Sequence, residues 1–133
     1  MTYEETLHYL YTSIPVFQHS GASAYKPGLG TSIALDDYLG NPHKAYKTIH
    51  VAGTNGKGSV SHLLAAILRQ SGFKVGLYTS PHLVDFRERI RVNGKKISQD
   101  YVVDFVERHR SFFEPLHPSF FELTSSMAFE YFR

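Results

Sequence analysis

A short glycine-rich segment in the middle of the chain is the feature that most constrains its fold. Residues 53–59 read GTNGKGS, follow the β-rich run Lys47–Ala52 and precede a helical pattern over Ser61–Gln70. A second β-rich run, Lys74–Thr79, comes next. Strand, loop, helix and strand in this length of chain are typical of a βαβ unit, whose two strands are parallel. The pattern therefore predicts an α/β fold with a partial parallel sheet and flanking helices.

The composition of the glycine-rich segment is typical of a loop that binds phosphate. Its three glycines allow positive φ angles and a close approach of the backbone to a ligand. Successive N–H groups and the positive end of the following helix form a concave anion site, to which Lys57 adds a charge suited to β- and γ-phosphate oxygens. We predict a nucleoside triphosphate site in the loop Thr54, Asn55, Gly56, Lys57, Gly58 and Ser59. The alternative is a simple strand-to-helix turn whose lysine points to solvent.

The loop departs from the usual G-x-x-x-x-G-K-[ST] pattern at two positions. Val51 stands at the first glycine position, and Gly58 stands where a magnesium-binding Ser or Thr is expected. Ser59, one residue later, is available. Ser80 ends the second β-rich run, and ligands of open α/β sheets bind beyond the carboxyl ends of the strands, so Ser80 is a second candidate for the metal. A plain strand-ending turn is an equal alternative for Ser80, and His82 beside it is interpreted as structural rather than catalytic.

Several further elements are predicted around this unit. Asn93-Gly94 lies between two β-rich runs, Arg89–Val92 and Lys95–Ser98, and indicates a hairpin with a type I′ turn. Residues 19–31 are rich in Gly and Ser and are expected to form a loop. Helical spacing of apolar residues predicts four helices besides the central one, over Thr2–Tyr11 with Thr2 as N-cap, Ser32–Leu39, Gln99–Phe113 and Ser119–Arg133.

Composition excludes several kinds of site and partner. The chain has 133 residues and no cysteine, which rules out disulfides, thiolate nucleophiles and thiolate metal sites. Its 14 basic and 12 acidic residues give a net charge of +2, which argues against a nucleic-acid partner. The basic residues between Arg87 and Lys96 are interpreted as a solvated hairpin face, with polyanion binding as the alternative. The longest apolar run, Leu63–Leu68, is too short for a membrane helix. We expect a soluble cytoplasmic protein.

Two aromatic residues and an acid open the last predicted helix. Phe120, Phe121 and Glu122 could clamp a flat heterocycle, because stacked rings hold its face while a carboxylate accepts its N–H groups. The alternative is that the two phenylalanines belong to the core and the acid belongs to the helix start.

Together these segments resemble the N-terminal part of the folylpolyglutamate synthase/dihydrofolate synthase family of the Mur ligase superfamily. The motifs that carry the resemblance are HVAGTNGKGS at 50–59, TSPHL at 79–83, ERIRVNG at 88–94 and FFELT at 120–124. The combination is highly specific, and the unusual glycine spacing of the loop is the one that this family shows.

The resemblance implies an ATP-dependent ligase that adds L-glutamate to dihydropteroate, to a folate, or to both, through an acyl phosphate. Residues 54–59 would hold the triphosphate of ATP, and Lys57 would be the catalytic residue that neutralises charge as the γ-phosphate moves. Ser80 would bind Mg²⁺. The pterin site would include Ser119, Phe120, Phe121 and Glu122.

The resemblance also implies that residues 1–133 are the front part of the ATP-binding domain, a truncated version of the central Mur ligase domain. The family's second metal-binding acid, its metal-binding histidine, its modified lysine and its glutamate-binding C-terminal domain are expected beyond Arg133. We therefore expect residues 1–133 alone to be inactive and to self-associate, and the whole protein to be a monomer. Two alternatives remain: a peptidoglycan-type Mur ligase, against which the SPHL and ERIRVNG segments speak, and a nucleotide-binding module without chemistry.

Overall fold

Helices dominate the described part of the chain, residues 1–14 and 28–133 of a computed structural model. The α-helices in those ranges are α1 (Tyr3–Ser13), α2 (Gly30–Leu39), α3 (Lys57–Gln70), α4 (Gln99–Phe113) and α5 (Phe120–Phe132). The strands are β1 (Gly76–Tyr78), β2 (Ile90–Val92) and β3 (Lys95–Lys96). Short 3-10 helices lie at Pro42–Ala45, Phe86–Arg89 and Glu114–Leu116. The predicted α/β class is confirmed, and most of the loop predicted over residues 19–31 lies outside the described ranges.

The sheet is antiparallel, in the order β1-β2-β3. Leu77 of β1 lies opposite Arg91 of β2, and Arg91 in turn lies opposite Lys96 of β3. The β2–β3 turn has φ angles of 49° at Asn93 and 80° at Gly94. Because a type I′ turn requires positive φ at both central residues, the hairpin predicted from Asn-Gly is confirmed.

The parallel pairing predicted within this class is not what the described residues show. Lys47–Ala52 forms no strand there, and Ile49 in its middle is 66% exposed. β1 pairs with β2 on one side, and no parallel neighbour covers its other side within residues 28–133. A β-rich run becomes a strand only when a partner strand accepts and donates its backbone hydrogen bonds, so composition alone did not decide this segment.

The core lies among α1, α4, α5 and the hairpin. Its members are apolar side chains buried from solvent, including Leu10, Phe86, Ile90, Ile97, Val102, Phe105, Val106, Phe113, Leu123 and Met127. Full burial of one such side chain stabilises the folded state by roughly 1.5–3 kcal/mol. Capping fixes the starts of the surrounding helices: Thr2 caps α1 as predicted, Ser98 caps α4 and Ser119 caps α5.

α3 differs from the other helices because none of its residues is buried. Val60, Leu63 and Ile67, which we call the α3 stripe, are 47%, 64% and 61% exposed. Their spacing of three and four residues places them on one face of the helix. In the ranges 1–14 and 28–133, no helix has the length and apolar character needed to cross a membrane.

Candidate functional site

The glycine-rich loop leads directly into the N-terminus of α3. Gly56 precedes the helix with φ of 72°, in the left-handed region, and its carbonyl accepts the N–H of Val60 at 3.0 Å. α3 therefore begins at Lys57, four residues before the start that periodicity predicted at Ser61. Lys57, Gly58 and Ser59 lie in the first turn, where backbone N–H groups have no carbonyl partner inside the helix. These N–H groups and the helix dipole favour an anion at this end.

The loop is open to solvent. All six residues from Thr54 to Ser59 are exposed. The Lys57 ammonium group donates to the carbonyl oxygen of Gly53 at 2.6 Å, so the side chain folds back over the start of the loop. The Lys57 side chain is otherwise exposed, as in the alternative of a strand-to-helix turn whose lysine points to solvent.

Ser80 lies just beyond β1. The N–H of the preceding Thr79 donates to the carbonyl oxygen of Arg89 at 2.9 Å, which fixes the end of the strand. Ser80 itself is exposed, and Ser80-Pro81 is a cis peptide. Residues 80–85, which we call the Ser80 segment, follow β1, and the glycine-rich loop leads into α3. Because α3 contacts β1, the loop and the Ser80 segment adjoin two elements that pack together.

Glu88 organises the segment that follows Ser80. Its carboxylate accepts the backbone N–H groups of Asp85, Leu83 and Val84 at 2.8, 3.0 and 3.1 Å. These bonds favour the charged form, so they lower the pKa of Glu88 to about 2. Our prediction from sequence did not include this role. The available signal was the spacing of Asp85 and Glu88, which is that of a capping box.

His82 connects the Ser80 segment to the body of the protein. Its Nδ1 accepts from Nε of Arg89 at 2.7 Å, and its Nε2 lies 3.1 Å from the hydroxyl of Tyr11. Burial, and then the positive charge of Arg89, lower the pKa of His82. This arrangement agrees with the interpretation of His82 as structural. The roles of Arg89 and Tyr11 were not predicted. Arg89 lies seven residues after His82, at the end of a 3-10 helix, and Tyr11 lies in α1, so no short-range pattern links either residue to His82.

The four candidate pterin residues are not brought together as one clamp. Ser119 and Glu122 form the capping box of α5. Phe120 is 3% exposed and stacks on Tyr11, with ring centroids 5.7 Å apart. Phe121 is 60% exposed, so within this set it has the ring most accessible to a heterocycle.

Metal-binding capacity is limited in the described ranges. They contain no group of three or more His, Asp or Glu side chains that could hold a metal ion. The exposed hydroxyl of Ser80 is an oxygen ligand of the kind that magnesium prefers. Magnesium commonly binds through one or two protein oxygens together with phosphate oxygens and water, so Ser80 fits such a partial ligand set.

The fold and the loop define an α/β chain with an exposed glycine-rich loop at a helix N-terminus, an arrangement that favours anions. No protein-family model matches the chain. It is 41% identical over 113 residues to the dihydrofolate synthase/folylpolyglutamate synthase of Bacillus subtilis. The aligned region covers 80% of this chain and 26% of that protein. The crystal structure of folylpolyglutamate synthase from Thermotoga maritima superposes with a TM-score of 0.83 at 46% identity, covering 98% of this chain and 30% of that one. A complex of folylpolyglutamate synthase with AMPPCP and folate superposes with a TM-score of 0.82 at 33% identity, and the match covers 100% of this chain and 32% of that one.

These similarities confirm the resemblance found in the sequence: the chain belongs to the folylpolyglutamate synthase/dihydrofolate synthase family. It spans about a quarter of the length of its Bacillus relative and about a third of the two solved chains.

Proposed function

We propose that the whole protein to which these residues belong is an ATP-dependent ligase that joins L-glutamate to dihydropteroate, to a folate, or to both. The observation that carries this proposal is the exposed glycine-rich loop at the N-terminus of α3, in a chain similar along its whole length to folylpolyglutamate synthases. The relative solved with AMPPCP, an ATP analogue, and folate supports the choice of both substrates.

The proposed reaction has two steps. The carboxylate of the pteroate or folate attacks the γ-phosphorus of ATP, which releases ADP and leaves an acyl phosphate. The amine of L-glutamate then attacks the acyl carbon, an amide bond forms, and phosphate and a proton leave. Charge accumulates on phosphoryl oxygens in the first step and on the acyl oxygen of a tetrahedral intermediate in the second. Catalysis depends on positioning the reactants and on stabilising that charge.

This chain would supply the phosphate-binding part of that machinery. The N–H groups of the first turn of α3 would bind phosphate oxygens, and Lys57 would leave the Gly53 carbonyl to neutralise the γ-phosphate. Ser80 would hold Mg²⁺, which when bound shields the phosphate oxygens from the incoming carboxylate. Phe121 would stack on the pterin, with Ser119, Phe120 and Glu122 shaping the start of α5 beneath it.

The remaining expectations also enter the proposal. Residues 1–133 would form the front part of the ATP-binding domain, and the whole protein would act as a monomer in the cytoplasm, without a nucleic-acid or membrane partner. On its own this stretch would lack ligase activity, because the glutamate site would lie elsewhere in the protein.

Phosphate release by the full-length protein tests the proposal. With ATP and Mg²⁺, release is expected to require both L-glutamate and either dihydropteroate or tetrahydrofolate. Release that instead requires a UDP-sugar peptide would identify a peptidoglycan-type ligase. Nucleotide binding with no release on any acceptor would favour a binding module without chemistry.

Ser80→Ala tests the assignment of the metal ligand. Loss of an outer-shell partner costs roughly 10–100-fold in metal affinity, so loss of a direct ligand should raise the magnesium requirement of the full-length protein by about tenfold or more. His82→Ala should have a smaller effect. Ser71→Ala, at the opposite end of α3, is the matched control and should match wild type. A magnesium titration in which Ser80→Ala and wild type coincide would contradict the assignment.

A further inference from the structure

Arg89 is a buried arginine with no carboxylate beside its charge among the described residues. Only 3% of its surface is exposed, and it forms no ion pair with Asp or Glu within residues 1–14 and 28–133. The residues 15–27 contain no Asp or Glu in their sequence. The adjacent Glu88 directs its carboxylate to three backbone N–H groups instead. Because a buried charge without a partner of opposite sign is costly, this arginine calls for an explanation.

The contacts of Arg89 are with rings and neutral groups. Its guanidinium carbon lies 4.8 Å from the centroid of the Phe120 ring, a cation–π contact. Its Nε donates to Nδ1 of His82 at 2.7 Å. Since a guanidinium only donates hydrogen bonds, Nδ1 must be the unprotonated acceptor. In the neutral ring the proton therefore sits on Nε2, which faces the Tyr11 hydroxyl at 3.1 Å.

Arg89 also holds the chain on both sides of Ser80. Its carbonyl oxygen accepts the N–H of Thr79, the residue before Ser80, at 2.9 Å. Its side chain holds His82, two residues after Ser80. Of these two contacts only the one to His82 depends on the arginine side chain, because the Thr79 bond is made by the backbone carbonyl. Leu83 and Val84 farther along are 92% and 89% exposed.

We propose that Arg89 is the positioning residue for Ser80: through His82 its side chain sets the place from which the serine hydroxyl reaches the magnesium ion of the nucleotide complex. The inference rests on the proposed function, because it requires Ser80 to bind that ion. In this view the buried charge is retained for the hydrogen bond by which Nε of Arg89 orients the imidazole of His82.

Arg89→Met in the full-length protein separates positioning from simple stabilisation. Methionine keeps an unbranched side chain against Phe120 but removes the donor and the buried charge, so the melting temperature should stay the same or rise. The magnesium concentration that half-saturates AMPPCP binding, measured by calorimetry, should rise by about 3- to 10-fold. This is near or below the lower end of the loss in metal affinity that follows removal of a group bonded to a metal ligand. Arg110→Met is the matched control, because Arg110 lies over the Tyr9 ring at 4.5 Å and has no contact with the Ser80 segment.

Two further variants show whether the effect passes through the serine. If it does, Arg89→Met should add nothing to Ser80→Ala in a double-mutant cycle, whereas independent contributions would add. His82→Asn keeps an acceptor near the Nδ1 position and should stay within about twofold of wild type.

The results distinguish a failure of the positioning role from a failure of the proposed function. An effect of Ser80→Ala together with a wild-type magnesium dependence of Arg89→Met would overturn the positioning role and leave the ligase proposal standing. Additive effects in the double mutant would also overturn it. Wild-type protein that binds AMPPCP without any dependence on magnesium would overturn both the metal assignment and the role of Arg89.

Discussion

Lys57→Ala in the full-length protein is expected to weaken nucleotide binding strongly and to abolish turnover, with the fold retained. Lys57 is exposed and its ammonium group contacts the Gly53 carbonyl oxygen, so its removal takes little from the packing. Exposed substitutions of this kind change the free energy of unfolding by about 0.5 kcal/mol or less. A hydrogen bond to a charged group contributes about 1.5–3 kcal/mol, which corresponds to roughly 10- to 100-fold in affinity.

Calorimetry with AMPPCP and an assay of phosphate release measure the two parts of this prediction. Lys74→Ala is the control, because Lys74 is also an exposed lysine but lies after the C-terminus of α3, between α3 and β1. Thermal melts of both variants should overlap that of wild type. Affinity and turnover unchanged in Lys57→Ala would remove the glycine-rich loop from the proposed mechanism.

The 133-residue polypeptide studied by itself is expected to self-associate. Val60, Leu63 and Ile67 of the α3 stripe are all about half or more exposed, and none of α3 is buried. The strand order β1-β2-β3 also leaves one side of β1 without a partner within residues 28–133. Apolar surface close to an open strand edge favours pairing with another chain, and a second copy is the nearest one available.

Sedimentation velocity over a range of concentrations measures this association. The double variant Leu63→Lys/Ile67→Lys places charges on the α3 stripe and should shift the population towards the monomer. Leu29→Lys changes an apolar side chain that is 70% exposed but precedes α2, and should leave the association as it is. A compact monomer at every concentration, with a sharp two-state melt, would contradict the prediction.

Sequence alone determined the features that depend on neighbouring residues. Gly53 and Gly56 adopt positive φ angles in the loop, and Asn93-Gly94 does so in the hairpin turn, as their residue types allow. Thr2 caps α1, where the predicted capping bond joins residues three apart. The family could be recognised for the same reason, because its motifs are short segments whose chemistry is written in consecutive residues.

Which of two adjacent residues is buried, and which partner a charged residue takes, was decided only by the packed structure. Phe120 and Phe121 have the same side chain, yet one is buried against Tyr11 and the other is exposed. Neighbouring residues of a helix point about 100° apart, and only the position of the core selects the one that faces inward. Similarly, Glu88 could have paired with any nearby arginine, and the path of the Ser80 segment brought three backbone N–H groups to it instead.

Tertiary structure alone decided the strand pairing and the surroundings of Ser80. Lys47–Ala52 has a β-rich composition, but a strand needs a partner, and among the described residues β1 pairs with β2. Tyr11, His82 and Arg89 belong to a helix, a loop and the end of a 3-10 helix, and they meet only when those elements pack. Hydrogen bonds between residues far apart in the chain leave no periodic or local signal, because their geometry is set by the packing of the whole core rather than by either residue's neighbours.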